Sequence, residues 1–247
     1  MKKKGQVTIF IIIGIVIVVS ILAFFLWLKP TYFSGKSASL NFEGCVQDSV
    51  EQGIQQLEKK AGSINPEFTF MHLGEKITYL CYTNEFYKTC TVQNPLIKQH
   101  FEEELTLLIK ENINTCYSNS VGNLRAEGHE VSSGEVSYEL SLELGIVSVS
   151  IDAPTNVGAS KFKKFNVELN SPIYEMIMLA TSLIQAESKF GETDTNYLMA
   201  LYPDYLIEKQ EQGEGTRIYT IGSKIFGNKF KFAIRSLVFP PGFNPNL

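Results

Sequence analysis

The sequence lacks the short motifs that carry most enzyme chemistry. Its three histidines, His72, His100 and His129, match no HExxH or other metal-binding spacing. It contains no GxSxG nucleophile elbow, no GxxxxGKS/T phosphate loop and no GxGxxG dinucleotide fingerprint. The acidic pair Glu192 and Asp194 lies in a polar stretch, where solvation explains it better than acid–base catalysis. We therefore expect no enzyme activity, no catalytic residue and no cofactor.

Basic residues are scarce beyond the first thirty positions. Residues 1–30 contain four of the 22 lysines and arginines and no acidic residue, so residues 31–247 have 18 basic against 26 acidic side chains and a formal charge of −8. Long-range repulsion opposes the encounter of such a surface with phosphate backbones. We therefore expect no nucleic-acid partner.

One long uncharged run, residues 7–28, follows Lys2, Lys3 and Lys4. As a helix this run would extend about 33 Å, which is enough to cross a hydrocarbon core of about 30 Å. Because positive charge stays on the cytoplasmic side, we expect a single-pass cell-membrane protein with a cytoplasmic N-terminus. Residues 7–28 would then have the lipid bilayer as partner, and residues 31–247 would lie outside.

Two other interpretations of this run remain open. A secretory signal usually has an apolar region of about 7–15 residues and a small-residue cleavage site, whereas this run is longer and ends in Phe-Phe-Leu-Trp-Leu. A core helix of a soluble protein rarely runs this long without a polar face. Trp27 and Lys29 instead suit an interfacial anchor at the far side of a membrane.

The stretch Lys-Lys-Lys-Gly-Gln-Val before the run resembles the class III, type IV prepilin-like signal of archaeal pilins and related surface proteins. The resemblance implies cleavage between Gly5 and Gln6. It also extends to uncharacterised single-pass archaeal surface proteins with extracellular α+β domains. Phe10 stands where many type IV pilins have glutamate, and Pro30 interrupts the long stem that a pilin helix would form.

The remaining pattern predicts an α+β fold: a transmembrane helix, then an extracytoplasmic domain of antiparallel β-hairpins with about three covering helices. Val46, Val50, Ile54 and Leu57 recur at helical spacing. The predicted divisions are a cytoplasmic N-terminus at 1–6, the transmembrane helix at 7–28, a linker at 29–42, a helix–hairpin–helix subdomain at 43–120, a mainly antiparallel β subdomain at 121–239 with a helix at 172–189, and a flexible tail at 240–247.

A second helix is predicted from Asn94-Pro95 to about residue 117, since asparagine caps helices and proline suits their first position. Its apolar face is predicted to include Leu108 and Asn112. A run of three glutamates, Glu102 to Glu104, is expected to form a solvated face.

The four cysteines, Cys45, Cys81, Cys90 and Cys116, form no CxxC pair, which argues against a zinc cluster and any metal site. An exported location favours disulfides, and four cysteines permit three connectivities. Cys81–Cys90 would close a hairpin, and Cys45–Cys116 would join the start of one helix to the end of the next if the helices are antiparallel. Buried free thiols remain the alternative.

Aromatic residues cluster around two predicted hairpins, and we expect most of them in the core and a minority in a binding patch. They are Tyr79, Tyr82, Phe86 and Tyr87 in the first and Phe226, Phe230 and Phe232 in the second. The sequence predicts a membrane-anchored extracytoplasmic protein that binds a partner or belongs to an envelope or surface assembly. A pilin-like filament subunit processed after Gly5 is the alternative, and a surface hydrolase would need a cleft of converging acidic or Cys/His groups.

Overall fold

The structure is a computed structural model that describes residues 16–21, 40 and 42–238. The chain divides into two compact units, Met1–Ser39 and Leu40–Leu247. In the first unit, residues 16–21 are helical. The second unit is α+β and rich in β-strands. The basic N-terminus at 1–6, the Gly5–Gln6 cleavage site, most of the predicted linker and the tail at 240–247 lie outside the described residues.

The fold prediction is wrong in its transmembrane helix at 7–28. Over the ranges that the structure describes, no helix is long and apolar enough to cross a membrane. The only described part of the predicted span is 16–21.

Two antiparallel helices begin the second unit, α1 (Glu43–Glu58) and α2 (Ile97–Ala126). The predicted face of α1 is confirmed, because Val46, Val50, Ile54 and Leu57 are all buried. Gly53 lets the helices approach closely, since a Cβ there would lie 2.5 Å from Cδ1 of Leu105.

The prediction for α2 needs correction in its length and its face. The helix continues to Ala126 rather than 117, and Ile109 and Ile113 are buried in place of Leu108 and Asn112. Buried residues recur at intervals of four from Ile97 to Val121, and the helix packs on α1 and on later elements of the fold. The shift is confined to these two positions, each replaced by the residue that follows it.

A four-stranded antiparallel sheet packs against these two helices. Its strands are β4 (Val131–Ser133), β5 (Ser137–Glu143), β6 (Ile146–Val157) and β7 (Ser160–Asn170). Strand β6 alternates buried and accessible residues from Val147 to Val157, as expected for a half-buried strand. Alternating apolar residues on both sides of Gly145 predict a hairpin turn near residues 143–145, and the turn between β5 and β6 lies there, with Gly145 at φ +74°.

A six-stranded sheet forms the second layer. Its strands are β1 (Thr69–His72), β2 (Glu75–Tyr82), β3 (Thr91–Val92), β8 (Tyr205–Glu211), β9 (Thr216–Ser223) and β10 (Lys229–Arg235). Helix α3 (Ile173–Phe190) packs on β2, β9 and β10. The face that its apolar spacing predicts is buried: Ile173, Met176, Ile177, Ala180, Leu183 and Ile184. Tyr219 and Phe232 are fully buried on the face that meets α3.

Three features of the fold depart from the prediction of antiparallel hairpins with about three helices. Strand β10 pairs with β2 in parallel, which joins strands from the predicted ranges 43–120 and 121–239 in one sheet. The polar stretch after α3 contains a fourth helix, α4 (Thr195–Leu201), and the edge strand β8. Strand β8 escaped prediction because four of its seven residues are exposed and only Ile207 is buried.

Candidate functional site

A cleft opens where α1 ends and where β2 and β10 begin. Its volume is about 540 Å³, which is within the range of small-molecule sites. We call it the lysine cleft, because five of its eight lining residues are lysines. The lining residues are Glu58, Lys59, Lys60, Glu75, Lys76, Gly227, Lys229 and Lys231.

The parallel pairing of β2 and β10 creates this site. Parallel strands begin at the same edge of a sheet, so the first residues of β2, Glu75 and Lys76, lie beside the first residues of β10, Lys229 and Lys231. Had β10 paired in the antiparallel sense, its lysines would lie at the opposite edge. The charge of the cleft is therefore a consequence of sheet topology.

The carboxylate of Glu58 ties the end of α1 to the β9–β10 turn. Its Oε2 accepts a hydrogen bond of 2.9 Å from Nδ2 of Asn228 and the carboxylate also accepts one from the backbone N–H of Lys229. The hydroxyl of Thr78 donates to the carbonyl of Lys60 over 2.8 Å and ties the same end of α1 to β2. Burial raises the pKa of Glu58, against the lowering effect of these hydrogen bonds and of Lys59.

The five lysines of the cleft differ in whether their ammonium groups have a hydrogen-bond or ion-pair partner. Lys231 Nζ lies 3.1 Å from Glu75 Oε2, and Lys60 Nζ donates to the carbonyl of Ile64 over 3.1 Å. The side chains of three others form no hydrogen bond or ion pair with the part of the chain that the structure describes; these are Lys59, Lys76 and Lys229. Their ammonium groups are therefore available to an external anion.

A second cavity of about 310 Å³ adjoins the lysine cleft and shares Glu75, Lys229 and Lys231 with it. It lies on the sheet face opposite α3, because Ile218 and Thr220 line it while the intervening Tyr219 faces the helix. Its other lining residues are His72, Leu73, Glu208 and Gln210.

Leu73 stands at the border of this second cavity in a strained conformation. It forms the two-residue turn between β1 and β2 with Gly74, and both residues have positive φ, +50° and +86°. Such turns favour Asn-Gly or Gly-Gly, since a branched or bulky side chain is disfavoured at positive φ. The Leu73 side chain is 92% exposed, so no packing within the described chain offsets this cost.

A separate polar cluster is buried between α3 and β9. Arg217 Nη1 donates to Glu187 Oε2 over 2.5 Å and to the carbonyl of Gly191 over 2.6 Å. The Tyr219 hydroxyl donates to Glu187 Oε1 over 2.5 Å. Burial raises the pKa of the Glu187 carboxyl, while Arg217 and Tyr219 lower it. Both carboxylate oxygens are satisfied, so this cluster joins helix to sheet and leaves no group directed at a ligand.

The prediction of disulfide bonds is confirmed. Cys45 is bonded to Cys116 and Cys81 to Cys90, with Cα–Cα distances of 5.9 and 5.4 Å. These are the pairs that the hairpin and the antiparallel helices favour. Cys81, Cys90 and Cys116 are buried, whereas Cys45 is exposed.

The predicted solvated face of α2 is wrong for two of its three glutamates. Glu102 Oε1 accepts a hydrogen bond of 2.7 Å from the backbone N–H of Leu142. Glu104 Oε2 accepts one of 2.6 Å from the backbone N–H of Ile64. These carboxylates satisfy backbone donors of neighbouring segments, a role that no local pattern signals.

The acidic pair of the polar stretch also has structural partners. Glu192 forms an ion pair with Lys209. Asp194 caps α4, since its Oδ1 accepts from the backbone N–H groups of Asn196 and Tyr197 over 2.9 and 3.1 Å.

Among the described residues the histidines form no common metal site, and the aromatic residues divide between the core and the surface. His72 lines the second cavity, and His100 Nε2 lies 2.9 Å from Ser63 Oγ. In the described ranges, no group of three or more His, Cys, Asp or Glu could hold a metal ion. Tyr79, Phe230 and Phe232 are buried in the core, whereas Phe86, Tyr87 and Phe226 are at least half exposed.

Comparisons with known proteins identify no relative: no family model, no curated protein and no solved structure matches this chain.

The lysine cleft was not predicted from the sequence, because its lining comes from three separate segments of the chain, 58–60, 75–76 and 227–231. The only local signal is that each segment has lysines next to an element boundary.

Proposed function

We propose that this chain is a non-catalytic binding component of an extracytoplasmic surface, and that its fold is locked by disulfides in an oxidising compartment. The observation that carries the proposal is the pair of disulfides, which uses all four cysteines of the sequence. Disulfides persist in secreted and cell-surface proteins and are rare where thiols are kept reduced. Cys45–Cys116 joins two helices and Cys81–Cys90 joins β2 to the residue before β3, so each of the two layers contains an internal crosslink.

The chemistry of the lysine cleft supports binding rather than catalysis. Its ionisable groups are five lysines and two glutamates. Glu58 is engaged by Asn228 and by the backbone of Lys229, and Glu75 pairs with Lys231. A general base needs a free position within hydrogen-bond reach of a substrate proton. Engaged carboxylates beside free ammonium groups instead form a site that attracts and holds an opposite charge.

Thiol labelling in intact cells tests the compartment. Cells that express the full chain are lysed in denaturant with excess N-ethylmaleimide, and the protein is analysed by intact mass. We expect no added maleimide without reductant and four after complete reduction, which is the number of cysteines. Four labelled thiols without prior reduction would refute the proposal, because the chain would then work in a reducing compartment.

Surface labelling provides the second half of the test. A membrane-impermeant lysine-reactive ester applied to intact cells should modify exposed lysines such as Lys163 and Lys164 on β7. A cytoplasmic protein of the same cells serves as control for leakage. Modification only after lysis would contradict an extracytoplasmic position.

A further inference from the structure

We propose that the lysine cleft binds a small ligand that carries two or more anionic groups, and that Leu73 contacts the uncharged part of the same ligand. The inference rests on the proposed binding function and names the chemistry of its ligand. The anionic groups are phosphate, sulfate or carboxylate, which a lysine ammonium binds as a point charge without a fixed geometry.

The local charge of the cleft is opposite to that of the chain around it. Five lysines face two glutamates in the lining, whereas residues 31–247 as a whole have a formal charge of −8. Clustered ammonium groups repel one another, and three of them form no ion pair or hydrogen bond with the described residues, although the charge of Lys59 acts on the Glu58 carboxylate. Charges of one sign around a cleft with low-dielectric walls focus the field and raise the local concentration of an oppositely charged ligand.

The same charge distribution selects a small ligand over a long polyanion. A polymer that extended beyond the cleft would meet a surface with an excess of acidic side chains. A ligand contained in the cleft of about 540 Å³ and the adjoining cavity of about 310 Å³ would meet five lysines against three glutamates, a local excess of positive charge. The two cavities share Glu75, Lys229 and Lys231, so one ligand can occupy both.

Leu73 provides the second observation. A strained backbone that persists without compensating contacts is often part of a functional site. Leu73 combines a positive φ with an exposed fraction of 92%, and it lines the cavity next to the lysines. Because Leu73 is almost fully exposed, its side chain is available for an apolar contact with a bound ligand.

The test is isothermal titration calorimetry of the full chain with three probes. Inorganic tripolyphosphate and trigalacturonate carry several anionic groups, and maltotriose is the neutral control. We expect both anionic probes or one of them to bind, maltotriose not to bind, and affinity to fall as salt rises, since exposed charges are screened. Binding of tripolyphosphate alone assigns a phosphate ligand, and binding of trigalacturonate alone assigns an acidic sugar. Binding of neither anion more tightly than about 1 mM overturns the proposal.

Matched variants locate the site. K76Q/K229Q removes two lysines without ionic partners, and K163Q/K164Q removes two exposed lysines of β7 as control. Each cleft lysine should contribute about a fivefold change, the effect of one close charge pair in water, so K76Q/K229Q should bind about 25-fold more weakly. The control should bind like the wild type. Equal losses in both variants would overturn the assignment of binding to the cleft.

Leu73→Asn separates the apolar contact from folding. Asparagine suits a positive φ better than leucine, so this variant should unfold at a higher urea concentration than the wild type. It should nevertheless bind trigalacturonate several-fold more weakly and leave tripolyphosphate unchanged. Unchanged binding of every probe would overturn the role of Leu73. The thiol-labelling result does not depend on any of these affinities, so the ligand assignment and the proposed function can fail separately.

Discussion

Opening each disulfide alone should destabilise the fold by an amount that depends on the loop that it closes. Cys45–Cys116 has a sequence separation of 71 and Cys81–Cys90 one of 9. In the chain-entropy treatment a crosslink stabilises by restricting the unfolded chain, and the effect grows with the logarithm of loop length. The two loops then correspond to about 4.4 and about 2.7 kcal/mol, a difference of about 1.7 kcal/mol.

The comparison requires variants in which only one bond can open. C81A/C90A retains Cys45–Cys116, and C45A/C116A retains Cys81–Cys90. Reductant opens the remaining bond without changing any side chain otherwise, so the packing cost of the alanines is the same in both measurements and cancels. Because Cys81 and Cys90 are buried while Cys45 is exposed, complete reduction has to be verified by mass before each measurement.

Urea unfolding of the oxidised and the reduced form of each variant gives the two differences. We expect a loss of about 4.4 kcal/mol in C81A/C90A and about 2.7 kcal/mol in C45A/C116A. A loss for the short loop that equals or exceeds that for the long loop would refute the reasoning, because the stabilisation would then come from the folded state rather than from the unfolded chain.

Three further predictions concern single side chains. Glu187→Ala should lower the free energy of unfolding by about 3 kcal/mol, because Arg217 would lose its buried partner. Glu192→Ala, at a more exposed position, should cost less than about 1 kcal/mol; urea unfolding that showed equal costs would contradict the role of Glu187. Glu58→Gln should gain stability relative to the wild type as the pH rises above 4.5. Burial raises the pKa of Glu58 above 4.5, so the stability from its bound proton is present below that value and is lost as the pH rises through the raised pKa. A stability difference that does not vary with pH would contradict this prediction. Gly191→Ala should lower the melting temperature more than Gly128→Ala, because both have positive φ but only at Gly191 would a Cβ lie 2.4 Å from Val238 Cγ2. Equal shifts in thermal unfolding would exclude that clash as the cause.

The elements that the sequence predicted well are those with a strong local pattern. The face of α1 from Val46 to Leu57 and the turn at Gly145 follow from helical spacing, strand alternation and glycine at positive φ. The disulfide pairs followed from these elements, since a hairpin and two antiparallel helices bring their cysteines together. Strand β8 was missed because an exposed edge strand has few apolar residues to alternate.

The candidate site was harder to predict than the elements that form it. Lys59, Lys76 and Lys229 each lie near an element boundary, where a charged side chain is usual on any soluble domain. Nothing in their local context distinguishes them from Lys163 or Lys164. Glu58 and Glu187 likewise look like ordinary helix glutamates, and only their neighbours across the fold show that one ties α1 to β10 and the other pairs with Arg217.

By itself the sequence determined the amphipathic elements, the number of cysteines and the negative charge of residues 31–247, because each depends on composition or on spacing within a short window. Only the tertiary structure decided that β10 lies parallel to β2 and that the lysines of α1, β2 and β10 share one cleft. Residues 76 and 229 line one cleft because of strand pairing across most of the chain, and this shared position depends on the packing of all elements between them. A pattern of period 2 or 3.6 shows which face of an element is buried, but it does not show which strand will lie beside it.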